Sequence, residues 1–385
     1  MKRRLPTFVA FALLTTAGLA PAQRSLEHDV EIVDPSGQAL RAFHRSLARG
    51  ERTRVMVWGA SHTSEDRFTG YLRASLQARY GDAGPGFVLP ARPFALYDHQ
   101  TVEIAETGAW RALRVRGRSR TPDRYGPAGF AIETRRRATG FVRPSTPVDV
   151  ARIFYLEQPE GGHFGLRATG LAERTVSTRG DRVNAQLLRR SNLSQVEITT
   201  RGDGPVRIFG VSLEREQPGV IVDAMGSPGA RLRDRLPWDE RAMTRQLREL
   251  APDLVVLAYG TNESGFRGRP IARYRAEVDE ALRRVRAMSP DASCLIVGPS
   301  DWPERAADGT FRARPRTQQV IEVQRVMAAR HGCGHFDMVA FQGGPVSMPR
   351  WVASGLAMRD HIHFTDAGHR RLAGALSRAL LRGQP

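Results

Sequence analysis

Lysine is almost absent from this 385-residue chain: Lys2 is the single example, so 57 of the 58 basic residues are arginine. The formal net charge is +18. Nucleic-acid binders usually mix Lys with Arg and cluster them, whereas these arginines run along the whole chain. The pattern fits a bias toward G- and C-rich codons better than nucleic-acid binding, and no nucleic-acid partner is expected. A basic surface still suits anionic polymers. Cysteine is also scarce, with only Cys294 and Cys333. That excludes a disulfide-rich scaffold and the common zinc modules. Long apolar runs are missing beyond the N-terminus, which excludes a helical membrane bundle. Internal repeats and low-complexity tracts are missing too. What remains is 41% hydrophobic and 25% charged, a globular composition that excludes disorder and collagen.

The first residues have the form of an export signal. Lys2, Arg3 and Arg4 precede a short apolar run, Phe8 to Leu19, and Ala20-Pro21-Ala22 fits the small-x-small cleavage rule. Cleavage after Ala22 is expected, with an uncleaved anchor as the alternative. It leaves no membrane span and a periplasmic or extracellular chain. Cys294 opens an apparent strand and Cys333 lies just before the next. If those strands are parallel neighbours, both cysteines sit at one end of the sheet, where an oxidising compartment permits a disulfide.

Residues 23–50 form an N-terminal segment, and the rhythm then changes twice. From 51 to 90 the chain reads as a buried strand (Arg54 to Trp58), a glycine turn and a helix (Glu65 to Arg79). From 91 to 215 it breaks into short runs rich in Val, Ile, Phe and Thr between turn residues, the signature of a β-sandwich. From 216 to 385 strands alternate with helices again. Strands are expected at VIVDAMG, DLVVLAYG and SCLIVGPS and around Phe336 to Val339. Helices are expected at Trp238–Leu250, Ile271–Met288, Thr317–Arg330 and Asp366–Leu381. Alternation of this kind implies a parallel sheet with helices on both faces. The β-rich segment therefore interrupts one α/β domain after its first strand.

Ligands of open parallel sheets sit at the carboxyl ends of the strands. Three polar motifs fall there: WGASHTSED, DAMGSPGARL and AYGTNES. A fourth, MRDHIHFTDAGH, precedes the last helix. Ser61 stands at the mouth of a helix, as a capping serine or as a nucleophile with backbone N–H groups behind it. A serine nucleophile needs a base, and the base an orienting acceptor; Asp360 and His363, three apart, can supply both. His361 is at the wrong spacing, and His62 can be placed only by structure. Asn262 can aim an amide N–H at an oxyanion, and Gly229 a backbone N–H. His331, Cys333, His335 and Asp337 alternate but match no common zinc spacing. In the inserted segment Arg114, Arg116, Arg118 and Arg120 alternate, so a strand would put them on one face, to meet an acidic glycan or water alone.

Together the four motifs resemble the SGNH (GDSL-like) hydrolases. The first block stands as Gly59-Ala60-Ser61-His62-Thr63, with Ala60 where an aspartate is usual. The second lies in Gly226-Ser227-Pro228-Gly229-Ala230-Arg231 and is carried to Gly229, although Gly226 also fits. The third is Gly260-Thr261-Asn262-Glu263, and the last Asp360-His361-Ile362-His363-Phe364-Thr365. The resemblance spans about residues 51–90 and 216–382. It implies a flavodoxin-like three-layer α/β domain, Ser61 as nucleophile, His363 as base and Asp360 as its orienter. Ser61, Gly229 and Asn262 would form the oxyanion hole, and no metal or organic cofactor is needed. An exported member with a β-domain inserted after the first block resembles the bacterial peptidoglycan O-acetylesterases, whose insert is like a carbohydrate-binding module. The expectation is an exported serine esterase acting on O-acetylated cell-envelope polysaccharide, with an anionic polysaccharide contact at the insert. A polysaccharide O-acetyltransferase using the same acetyl-serine, and a carbohydrate-binding protein with a dead hydrolase domain, are the alternatives.

Overall fold

Five strands build a parallel sheet: β1 (Arg52–Gly59), β2 (Gly219–Gly226), β3 (Leu254–Ala258), β4 (Ser293–Val297) and β5 (Gly334–Phe336). Their spatial order is β2-β1-β3-β4-β5. The arrangement comes from a computed structural model that describes residues 26–115, 124–266 and 268–383. The strands are apolar at nearly every position because both faces are covered. Val55, Val57, Leu254 and Val256 point into one core, with α1 (Arg41–Ala48), α2 (Arg67–Tyr80) and α6 (Asp366–Leu381). Met56, Trp58, Val255 and Leu257 point into the other, with α3 (Glu240–Leu250), α4 (Ile271–Met288) and α5 (Pro315–Arg330). This is the expected three-layer α/β domain.

Between α2 and β2 the chain forms two antiparallel sheets. The larger centres on Val206–Glu214 and Val148–Leu156, and the strand Gly86–Val88 pairs with it beside the parallel sheet. The smaller has the order Val102–Thr107, Thr139–Pro144, Val196–Thr200, His163–Ala168, Leu171–Ser177. Tyr155 of the first meets Phe164 of the second at 5.5 Å between ring centroids. The inserted core is continuous with the α3 face of the parallel sheet.

Polar contacts also tie insert to hydrolase. Arg54 of β1 is buried, yet its guanidinium reaches Asp223 of β2 at 2.9 Å and Glu214 of the insert at 2.6 Å. Ser212 accepts from it at 3.1 Å. Burial opposes both charges, but Arg54 holds Glu214 below its usual range, while burial keeps Asp223 above its own. Trp58 donates to the Pro127 carbonyl at 2.7 Å.

The helix expected over Glu65–Arg79 is α2, Arg67–Tyr80, set off from a short turn, Ser61–Ser64. The break is Asp66, buried with φ +52°, whose carboxylate accepts from Thr69, the Gln100 backbone and Arg73. A buried acceptor with that many donors overrides helix propensity. One local expectation fails: the apolar run after Phe336 is not strand. Asp337 accepts from the Ala340 N–H at 3.0 Å and starts a short helix, Met338–Phe341. Cys294 and Cys333 form a disulfide between the amino-terminal ends of β4 and β5. Arg114 packs over Phe94 and Phe130 and donates to the Pro93 carbonyl, so it does not present a bare cationic face. Arg116, Arg118 and Arg120, and the proposed signal 1–22, lie outside the described residues.

Candidate active site

β1 ends at Gly59, and the chain turns at once into Ser61–Ser64. The turn sits so close to the sheet that side chains are excluded beneath it. A Cβ on Gly59 would meet Thr63 Oγ1 at 2.1 Å, and one on Gly226, its partner on β2, would meet the Ser64 nitrogen at 2.4 Å. Two strand-end glycines thus let the turn settle and lift Ser61 to the carboxyl edge. As first residue of the turn, Ser61 has an N–H without an acceptor inside it.

The Ser61 hydroxyl lies 2.9 Å from His363 Nε2. His363 Nδ1 lies 2.6 Å from Asp360 Oδ2. A carboxylate only accepts, so Nδ1 carries the proton, and Nε2 is left to accept from the serine. Asp360 Oδ1 also accepts from the backbone N–H groups of Ile362 and His363, at 2.9 and 3.0 Å. Burial pushes the Asp360 carboxyl up, but these His363 and Ile362 donors outweigh it and hold the group below its usual range. His361 turns away at φ +56° and stacks on Phe311 at 4.5 Å.

Asn262 follows β3 in the turn Thr261–Ser264, and its Nδ2 donates to the Ala230 carbonyl at 2.9 Å. Ala230 closes a turn on Ser227 in which Gly229 holds φ +66°. The Gly229 N–H makes no hydrogen bond among the described residues. The two candidate second-block glycines therefore differ: Gly226 makes room for the Ser61 turn, and Gly229 shapes the loop tied to Asn262. Ala60 is buried, so the departure from the usual aspartate places a methyl in the protein interior.

Several positioning residues carry no role in the motif reading. Glu263 is buried and accepts from Leu232 N–H at 2.8 Å and Gly260 N–H at 3.1 Å, joining the loops that hold Gly229 and Asn262. Burial pushes its carboxyl up to about 6. The signal was legible: glutamate three residues after Gly260 has capping-box spacing. His62 Nε2 donates to the Ile362 carbonyl at 3.1 Å, next to His363. Burial, then the neighbouring His363, drops the His62 imidazole to about 4, so it is neutral. His369 is likewise buried, against His62 and Phe364. The His62 contacts to Ile362 and His369 cross 300 residues or more and leave no local pattern. The zinc-like run comes apart: Cys333 is in the disulfide, His331 faces Asp279 at 2.8 Å, and His335 is buried elsewhere. Among the described residues no His, Cys, Asp or Glu group is arranged to hold a metal.

A serine, an imidazole and a carboxylate in series can raise a hydroxyl to a nucleophile. A solved structure described as "Peptidoglycan O-acetylesterase in action, 5 min" superposes with a TM-score of 0.77 at 27% identity, over 91% of this chain and 97% of that one. The acetyl xylan esterase AlAXEase aligns at a TM-score of 0.32 and 18% identity, over 41% of this chain and 78% of that one. A family two carbohydrate esterase from Cellvibrio japonicus aligns at 0.30 and 9%, over 73% and 98%. Those two are too distant to carry an argument. A sequence search of curated proteins finds no match. The sequence model of the GDSL-like lipase/acylhydrolase family matches residues 169–371, more than half of the chain. The motif around Ser61 lies upstream of that match, which begins within the inserted segment. With relay, fold and sequence in agreement, the chain is a carboxylic ester hydrolase and belongs to the GDSL-like lipase/acylhydrolase family.

Proposed function

We propose that this protein is an exported serine esterase that removes O-acetyl groups from peptidoglycan. The observation that carries the reading is the relay from Ser61 through His363 to Asp360, at 2.9 and 2.6 Å. Ser61 Oγ attacks the acetyl carbonyl carbon while His363 Nε2 takes its proton. Asp360 steadies the imidazolium. The oxyanion is met by the N–H groups of Ser61 and Gly229 and by the Asn262 amide. The tetrahedral intermediate collapses to acetyl-serine, and His363 returns the proton to the departing sugar oxygen. Water, deprotonated by His363, then releases acetate by the same route. The sugar as substrate is supported by the likeness to a peptidoglycan O-acetylesterase over nearly the full length of both chains.

Export through residues 1–22 is supported by the Cys294–Cys333 disulfide, a bond that persists in oxidising compartments. No helix of the described residues is long and apolar enough to cross a membrane. An anionic glycan contact at the insert is part of the same reading, supported by 21 arginines against 13 acidic residues over 91–215. The test is acetate release from O-acetylated peptidoglycan and from acetylated xylan, by wild type and Ser61→Ala. Serine-dependent release from peptidoglycan is expected. Release that persists in Ser61→Ala would remove the mechanism. Acetyl transfer to an added sugar exceeding hydrolysis would make the enzyme a transferase.

A further inference from the structure

Beside Asn262 the carboxyl edge carries cations that the acyl-transfer chemistry does not use. Arg231 and Arg233 come from the loop after β2, and Phe266 from the loop after β3. Both guanidinium groups lie over the Phe266 ring, at 4.4 and 5.2 Å from its centroid. Arg231 Nε also donates to the Asn262 carbonyl at 3.3 Å, so this pair is anchored to the residue that faces the oxyanion. Arg233 is only 28% exposed, and its one ion pair among the described residues is a 4.0 Å approach to Asp234. Among the described residues its guanidinium makes no hydrogen bond.

The acidic neighbours are engaged, and Glu263 also faces the Arg231 charge. Asp234 accepts from the Arg231 backbone N–H at 2.8 Å, Glu263 takes the two backbone N–H groups described above, and Glu277 holds Arg269. Arg269 itself is pulled below its usual range by burial and then by Arg233, Arg273 and Arg231. Like charges gathered at a half-buried edge cost free energy unless an anion joins them. A planar guanidinium fixed on an aromatic face keeps its donor fork oriented for a carboxylate.

We propose that Arg231 and Arg233, stacked on Phe266, form a subsite for a carboxylate carried by the acetylated strand, so that the enzyme prefers anionic acetylated glycan to neutral. The proposal rests on the peptidoglycan reading. Peptidoglycan offers this carboxylate from two sources: the peptide attached to the sugar, or the sugar's lactyl group once the peptide is removed. Acetylated xylan offers neither.

Two assays separate the subsite from the substrate reading. In the first, kcat/KM for acetate release is measured on O-acetylated peptidoglycan, on the same strands after amidase digestion, and on acetylated xylan. In the second, Ser61→Ala binds three labelled probes: a disaccharide-peptide, the lactyl disaccharide and a neutral xylo-oligosaccharide. Arg233→Gln is expected to weaken binding of the preferred anionic probe about tenfold, the size of one charge-assisted contact. It should lower the ratio of anionic to neutral kcat/KM by a similar factor, and Arg233→Glu should lower it further. Added salt should erode the wild-type preference. Arg248→Gln, on the exposed side of α3, should leave the ratio unchanged. Whichever carboxylate source loses affinity identifies the ligand. Unchanged binding of both anionic probes in Arg233→Gln and Arg233→Glu overturns the subsite, even if the esterase activity stands. Absence of acetate release from every polysaccharide, with anionic binding still dependent on Arg233, overturns the substrate reading and leaves the subsite.

Discussion

The two ends of the parallel sheet are built from the same strands and put to opposite uses. At the carboxyl ends, four loops bring Ser61, Gly229, Asn262 and His363 toward one edge, and polar side chains there stay partly exposed. At the amino ends the chain is fastened: a disulfide joins β4 to β5, and the Arg54 N–H donates to Asp253 at 2.8 Å just before β3. Ser293, the first residue of β4, accepts from the Phe43 N–H of α1 at 3.0 Å. The contrast teaches a division of labour. Groups at the reactive edge keep polar atoms toward solvent, while those at the fastened edge tie strands and helices to one another. Changes at the first should alter rate with little loss of stability, and changes at the second should do the reverse.

Ser61→Ala is the largest test of that division. It should lower kcat by a factor of about 10⁴ or more, because nucleophile and base act as a unit. Only the hydrogen bond to His363 is lost, so the melting temperature should stay within about two degrees. A large drop in melting temperature would show that the reactive edge also carries the fold. Asn262→Ala comes next. Loss of one oxyanion donor should cost about 10²–10³ in kcat with KM little changed. Equal loss in KM would mean that Asn262 binds the ground state as well.

The fastened edge is tested by Cys294→Ser combined with Cys333→Ser. The pair closes a loop with a sequence separation of 39. Opening a loop of that length should remove about 4 kcal/mol on the chain-entropy account, read in denaturant unfolding. The kcat of the surviving folded fraction should hold within about twofold, since the bond lies at the far end of β4 and β5 from Ser61. A loss of activity in step with stability would join the two edges into one functional unit.

How far each edge was legible follows from the same geometry. The relay could be read because its parts are local words: a serine after a strand and turn, D-x-x-H before a helix, an asparagine after a strand. The alternation of strand and helix gave the layered domain, because burial on both faces imposes apolar runs. The residues that hold the words in place could not be read. Arg54 finds Glu214 across 160 positions, and His62 finds Ile362 across 300. Asp66 looks like a helix residue until its buried donors are seen. The row Arg114 to Arg120 suggested a cationic face, yet Arg114 is spent on Phe94 and Phe130. Alternation defines a shared face but not what covers it.

The smallest expected effect concerns histidines that belong to neither edge's chemistry. Burial drops His335 in β5 to about 4, and neither ring nitrogen has a hydrogen-bond partner among the described residues. A histidine depressed in the folded state binds its proton more readily when unfolded. Its contribution is present above the unfolded value near 6.5 and is lost as pH falls toward the folded value. At pH 5 the loss is about 2 kcal/mol for one such group. His62 and His99 are also held near 4, for the same first reason of burial, so acid should destabilise the protein well before its carboxylates are protonated. His335→Leu removes one proton site without adding charge. Its stability relative to wild type should therefore improve by about 2 kcal/mol on going from pH 8 to pH 5, in paired denaturant titrations. A difference that does not change with pH would mean that His335 binds its proton equally well folded and unfolded. Acid sensitivity would then belong to His62 and His369 beside the reactive edge and to His99 in the insert, rather than to the sheet.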